Sequence, residues 1–492
     1  MIGARTTAVL IAILFAGCLG AIGSDSPFGS DDDPDALVSA CPSEVENDDG
    51  PSDPDSDVLG WEDGVWANES IDVDQSDGLD CRELALTRAR TMARVEAIRD
   101  LEFERTVPTR VISRETFRER ATSGEVPSEP TVQDALYEAL FLVDERTNAE
   151  TVRRQNRGTS VGAYYSSAQN AIVIITPDPD RVQISSALLA HELVHALQNQ
   201  HFDRAQVEPT LDAGKARLGL TEGDANYVQY QYRQRCGEAW DRCLVPDPRP
   251  AQARPQARGL TNRGLHLITF QPYSDGPAFV ETLREAGGWS AVGDAYGSLP
   301  ASTEQTIHAD RYPDDSPTAV TVSDTSTEAW TPLTRNGERV TETAGEVGLF
   351  AMFAYPFYHS NGSVEIISRD AFQNRDADGN PDRFDPYNYS HPYSEGWDGD
   401  RLVAYRNGDE TAYVWKLAFD SETDAREFLT GYRRILEYRG AEPEADRRNV
   451  WTIDEDESFG DAFAIRQSGS TVVVVNAPTV EDLGDVRSGL GS

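Results

Sequence analysis

Lysine is nearly absent from this chain of 492 residues. Lys215 and Lys416 are the only two, and the other 42 of the 44 basic residues are arginine. Basic charge as a whole is scarce: Asp and Glu number 84, so the formal net charge is 44 − 84 = −40. Such a surface repels nucleic acid phosphates and anionic membrane surfaces, so no nucleic acid is expected as a partner. The acidic residues run along the whole chain, which excludes a separate acidic tail. An acidic, lysine-poor surface stays hydrated in concentrated salt, where screening confines each charge to a few ångströms. Long apolar runs are missing beyond the first residues, so no later segment can span a bilayer, which takes about 20 apolar residues. CxxC zinc pairs are missing too. Hydrophobic residues still make up 39%, and the length allows two to four domains at roughly 150 residues each.

What is present starts at the N-terminus. Met1 to Arg5 carries one positive charge, and Thr6 to Ala16 is apolar but too short to cross a membrane. Residues 1–17 therefore read as a secretory signal peptide. The ending Phe15-Ala16-Gly17-Cys18 resembles a lipobox, with Phe15 where leucine is usual. The chain is expected on the outer face of the cell membrane, anchored by lipid on Cys18. Residues 18–58 are rich in Asp, Ser, Pro and Gly and bury too little to fold, so they read as an acidic disordered spacer. Four further cysteines remain, an even number that suggests disulfides in an exported protein. Cys236 and Cys243 lie close together around Trp240-Asp241 and are expected to pair, leaving Cys41 for Cys81.

Apolar periodicity predicts a helix over 82–101, with Met92, Val95 and Ile98 on one side, and a strand at Arg110-Val111-Ile112. A helix over 132–143 follows. Strands at 162–165 and 171–175 flank a polar turn, and helices are predicted over 184–201, 220–235, 277–285 and 290–296. In the tail, a strand over 413–419 leads into a helix capped by Ser421, with Asp424 in the capping-box position and Gly440 as its stop. Residues 462–466 and 471–475 read as a hairpin around Ser468-Gly469. The expected fold is α+β. A mostly helical, zincin-like metallopeptidase domain with a small strand pair spans 59–398, and a small α+β module spans 399–492.

The chemistry lies at His191-Glu192-Leu193-Val194-His195, an HExxH motif. On a helix, positions i and i+4 share a face, so both imidazoles can reach one zinc ion. Glu192 can take a proton from a metal-activated water and hand it to a leaving amine. The neighbours Leu188, Leu189, Leu193, Val194, Ala196 and Leu197 make a dry helix, where unpaired His and Glu are costly. Two residues compete as third ligand. His201 has the metzincin spacing, but Gln198 stands where that family needs a glycine to turn the chain. Glu222, expected at the start of the next helix, resembles the closing glutamate of the gluzincins and is favoured. Asp224 and Asn226 are candidates to orient the histidines.

HELVHALQNQHFD followed by EGDA resembles a family of HExxH metallopeptidases found as surface proteins and lipoproteins of haloarchaea, with related bacterial proteins. Further similar stretches are Gly60 to Gly64, Ser302 to His308, Gly345-Glu346 and Gly396 to Arg401, so the resemblance runs from about residue 60 onward. Asn199 departs from the expected aspartate. The resemblance implies a cell-surface zinc peptidase acting on peptides or proteins, and it supplies no particular substrate. Peptidases of this type often use a His or Tyr from a later segment to bond the transition state, which makes His308 a candidate catalytic residue and Tyr312 its alternative. The alternative class is a non-catalytic surface binding or envelope-structural protein on the same fold. A last candidate is Asn374 to Asp385, which has oxygen-bearing residues at EF-hand positions 1, 3, 5, 9 and 12 and Gly379 at position 6. It reads either as a calcium loop or as solvated surface.

Overall fold

The computed structural model describes residues 39–40, 52–122, 126–157, 161–203, 206–246 and 260–489. The expected signal peptide, Cys18 and Cys41 lie outside them. The architecture is mixed α+β. Chain order begins with β1 (Ser39–Ala40), the short pair β2 (Trp61–Glu62) and β3 (Val65–Trp66), and α1 (Cys81–Arg99). It continues through β4 (Thr109–Ser113), α2 (Arg114–Thr122), α3 (Val132–Ala139), α4 (Ala149–Arg157), β5 (Ala163–Ser166), β6 (Ala171–Thr176) and α5 (Ser186–His201).

Asp80 and Glu83 form a capping box at the start of α1. Met92, Val95 and Ile98 are buried as the periodicity predicted. Arg88, Arg90, Arg94 and Arg99 are buried as well, so α1 has no solvated face along much of its length. The first sheet has the order β1-β4-β6-β5. β4 runs parallel to β6 and β5 antiparallel to it, which makes β5 an edge strand. Ser39–Ala40, inside the stretch read as an unfolded spacer, pairs with Val111 and Arg110 of β4. A short apolar run, Ala36-Leu37-Val38, directly precedes it in the sequence.

The next elements are α6 (Leu211–Arg235), α7 (Arg263–Ala295), α8 (Thr303–Ile307), β7 (Thr331–Pro332), β8 (Thr334–Arg335), β9 (Glu338–Arg339), α9 (Gly345–His359) and α10 (Arg369–Phe372). α6 starts nine residues before the expected position, with the Thr210 hydroxyl accepting from the Ala213 amide. Glu222 therefore lies in mid-helix. α7 joins the two helices expected at 277–285 and 290–296 and begins 14 residues earlier, with a kink at Gly287 and Gly288. α6 and α7 touch backbone to backbone: a Cβ on Gly223 would lie 2.3 Å from the Gly276 carbonyl oxygen. Only glycine allows that approach. α9 is apolar all round and buried from Gly345 to Pro356.

The tail contributes β10 (Trp397–Asn407), β11 (Glu410–Phe419), α11 (Glu422–Tyr438), β12 (Glu442–Pro443), β13 (Val450–Thr452), β14 (Ala462–Ser468), β15 (Thr471–Ala477) and α12 (Asp482–Val486). Its sheet has the order β12-β13-β14-β15-β11-β10-β7. The Ser421 cap and the hairpin at 468–469 are present as expected. The boundary expected at 399 falls inside β10. One apolar core crosses it, joining Leu136 and Leu140, Phe350 and Phe353 of α9, and Trp415, Phe428 and Tyr432. Cys236 and Cys243 form a disulfide as expected. Cys81 is also disulfide-bonded. Among the described residues no helix is long and apolar enough to cross a membrane.

Candidate metal centre

α5 places His191 and His195 one turn apart, and α6 packs across it. His191 Nε2 and His195 Nε2 are 3.2 Å apart, and Glu222 Oε2 is 3.4 Å from each. Two ligands at about 2.1 Å from a tetrahedral ion lie about 3.4 Å from one another, so the triangle has the size that one zinc ion requires. Two imidazole nitrogens and one carboxylate oxygen are a fitting donor set for zinc. All three residues are buried, with at most 2% exposed. His201 does not share the cluster: it stays on α5, and its Nε2 lies 2.6 Å from the Glu102 carbonyl oxygen.

Burial penalises charge on each group, and the groups answer differently. Burial would raise the Glu222 carboxyl, but the charge of His195 and bonds from both imidazoles bring it down to about 2. Burial pulls His195 down, yet Glu222 and Glu192 beside it lift it to about 9. Burial keeps His191 below its usual range. Glu192 is pushed by burial up to about 8, and its Oε2 accepts the Tyr165 amide at 2.9 Å. The bond from the Ile175 amide to the Gly162 carbonyl sets the β5–β6 register so that the Tyr165 amide points away from β6. The edge strand thus fixes the orientation of Glu192. A divalent cation bound here would compete with protons for the same nitrogen and carboxylate atoms.

Gln198 is the residue that the sequence reading missed. Its Oε1 bonds His195 Nδ1 at 3.0 Å, and its Nε2 donates to the Thr221 carbonyl of α6 at 2.9 Å. It fixes the imidazole and ties both ligand-bearing helices together. The signal was its position three residues after His195, on the same helix face. Asp224, a candidate for that task, instead accepts from Arg99 Nε and the Tyr296 hydroxyl, both at 2.9 Å. That buried ion pair locks α6 to α1.

His308 follows α8, and its Nε2 lies 3.1 Å from Glu346 Oε1 at the start of α9. Burial lowers it, but the bond to Glu346 and the Glu346 charge raise it above its ordinary value. Its bond is to Glu346 and not to the His–Glu cluster. The Tyr312 hydroxyl donates to the Ser298 carbonyl. The loop Asn374–Asp385 does not assemble an EF-hand site. Asp376 accepts the amides of Asp378 and Asn380, Asp382 those of Phe384 and Asp385, and Asp385 the Ser274 hydroxyl. Among the described residues, no three of its carboxylates come within 4.8 Å of one another. Acidic spacing alone arises readily in a chain with 84 acidic residues.

Residues 331–487 match a family described as a domain of unknown function, DUF8575. The match covers the C-terminal sheet and α9, not the His–Glu cluster. No curated protein and no solved structure was found to be similar to the chain.

Proposed function

We propose that the protein is a zinc-dependent peptide hydrolase of the zincin type. The observation that carries this reading is the triangle of His191 Nε2, His195 Nε2 and Glu222 Oε2, with edges of 3.2 to 3.4 Å and Glu192 one residue from His191. Bound zinc would polarise the scissile carbonyl and acidify the attacking water. The two imidazoles and Glu222 would hold the ion. Gln198 keeps His195 in the tautomer that leaves Nε2 for the ligand role, since its Oε1 accepts from Nδ1–H. Glu192, held by the edge-strand amide, accepts the proton of the water and returns it to the leaving nitrogen. The resemblance of residues 191–203 and 222–225 to haloarchaeal surface metallopeptidases supports the same reading. A cell-surface location with lipid on Cys18 belongs to the proposal and rests on residues 1–18 alone; the Cys236–Cys243 disulfide is consistent with export.

The burial of the cluster, with Glu222 wholly inaccessible, favours a second reading: a surface binding or structural protein that uses the metal as a brace. Casein hydrolysis in molar salt separates the two. A hydrolase loses activity on chelation, and Glu192→Gln lowers its rate about 10²–10⁴-fold while zinc stays bound. A metal-loaded wild type without hydrolysis, or a Glu192→Gln variant at the wild-type rate, would reject the catalytic reading.

A further inference from the structure

The face of α6 that carries Glu222 continues toward the C-terminal end of the helix. Arg233 follows Glu222 by about three helical turns, so the two residues point the same way. Their Cα atoms are about 16 Å apart along the axis, and long helical side chains lean back toward the N-terminus, here toward the metal centre. Asn226 stands between them on that face, and its Nδ2 has no hydrogen-bond partner among the described residues. The charge of Arg233 reaches His191, where it adds to the burial that lowers that imidazole.

The loop 374–385 brings a second arginine to the same place. Phe384 packs on α6, its ring 4.8 Å from that of Tyr230 and 6.0 Å from that of Tyr227. Asp382 accepts the amides of Phe384 and Asp385, and Asp385 accepts the Ser274 hydroxyl of α7. The chain is thus pinned on both sides of Arg383. Crowding by neighbouring atoms lowers Arg233, and the charge of Arg383 lowers it further. Among the described residues no carboxylate offsets that repulsion at Arg233. Both arginines are exposed, so a ligand can reach them. In a chain with 84 acidic residues, two arginines set against each other without an acid leave room for an anion from outside.

We propose that Arg233 and Arg383 form a carboxylate-binding subsite beside the metal centre, so that the preferred substrates are peptides with an acidic side chain or a free C-terminus on that side. This rests on the reading of the cluster as a peptide hydrolase. Among the groups of an unmodified peptide, only carboxylates carry full negative charge at neutral pH. Guanidinium groups match them with paired N–H donors. An extended peptide covers about 16 Å in about five residues, which bounds the distance from the scissile bond to the bound carboxylate. The net charge of −40 repels acidic peptides at long range, and molar salt screens charges beyond about 3 Å. A gain in affinity from a carboxylate under those conditions comes from direct contact.

Binding is read by fluorescence anisotropy on the zinc-loaded Glu192→Gln full chain in molar potassium chloride. The probes are a short neutral rhodamine-labelled peptide with an amidated C-terminus, the same peptide with one glutamate moved through each position, and the neutral peptide with a free C-terminus. Glutamate at one fixed position, or the free C-terminus, should bind about tenfold more tightly than the neutral amide. Which of the two gains tells the side chain from the terminal carboxylate. Arg233→Gln and Arg383→Gln, both exposed changes, should each shrink the gain, and together they should abolish it. Arg233→Glu with Arg383→Glu should turn the preference toward a peptide with lysine at that position, which a merely structural role would not do. Arg466→Gln, on β14 of the C-terminal sheet, should keep the gain. No gain from any carboxylate, an equal gain at every position, or a gain kept in the double Gln variant overturns the proposal. Casein hydrolysis by the wild type, run alongside, separates the two readings. A chain that cleaves casein without a carboxylate gain loses this subsite and keeps the catalytic reading. One that shows the gain and never cleaves keeps the subsite and loses the catalytic reading.

Discussion

Two buried acids in this molecule are satisfied in opposite ways. Asp400, between α9 and the C-terminal sheet, accepts the amides of Ala344 and Gly345 and the indole N–H groups of Trp397 and Trp415. Glu222, on α6, faces two imidazoles, its Oε2 lying 3.4 Å from the Nε2 of His191 and of His195. A carboxylate ringed by fixed donors is a peg that holds elements together. One facing two imidazole nitrogens at ligand spacing is a place for a cation. Both are buried acids, so burial alone does not tell structure from chemistry; the kind of partner does.

The contrast predicts different losses. Asp400→Ala strands four buried donors and should destabilise the fold by at least about 4 kcal/mol in denaturant melts, at roughly 1–3 kcal/mol per unsatisfied group. Zinc stoichiometry of the folded fraction should not change. Gly223→Ala forces α6 away from the Gly276 carbonyl and should cost about 3 kcal/mol. It should also lower zinc affinity, because Glu222 adjoins the displaced backbone; a variant that loses stability but binds zinc normally would show that the α6–α7 contact does not position the ligand. Gln198→Ala removes the bond to His195 Nδ1 and should weaken zinc about 10–100-fold by competition with a chromogenic chelator, with a smaller effect on melting. Cys236→Ser opens a short loop and should cost about 2 kcal/mol without touching the metal.

The smallest effect is on pH dependence near the peg. Burial, opposed by two bonds from Thr303, leaves Asp212 at about 7 against an ordinary value of 3.8. A raised carboxyl keeps its proton longer when folded, so its contribution is full below pH 3.8 and is lost as pH rises through 7. Asp212→Asn should therefore flatten the fall of melting temperature between pH 4 and 7. An unchanged slope would assign the fall to other groups.

Legibility in the sequence followed the source of each signal. α5 and the β5–β6 pair were readable because their periodicity and turn are local. α11 was readable from its Ser421 cap and apolar face. The start of α6 was hidden by Gly214 and Gly219, and Gly219 and Gly223 serve packing: side chains there would strike Thr306 and Gly276. α7 was fragmented on paper by Pro272, Gly276 and Pro277, which tertiary contacts override. α9 was missed because Gly348 and Pro356 interrupt a helix that is apolar on every face and so shows no period. At the site, the spacing gave the two histidines and the following helix suggested Glu222. Gln198 was seen only as a missing glycine, because its bond to Thr221 depends on how two helices cross. The acidic loop at 374–385 left a calcium loop and a solvated surface both open, because spacing cannot show where carboxylates point.

Zinc content per folded chain in His201→Ala and Glu222→Ala, measured beside the wild type after dialysis, tests the central claim most directly. One zinc in the wild type, one in His201→Ala and none in Glu222→Ala is the predicted result. Zinc lost from His201→Ala and kept in Glu222→Ala, or no zinc in the wild type, would contradict it.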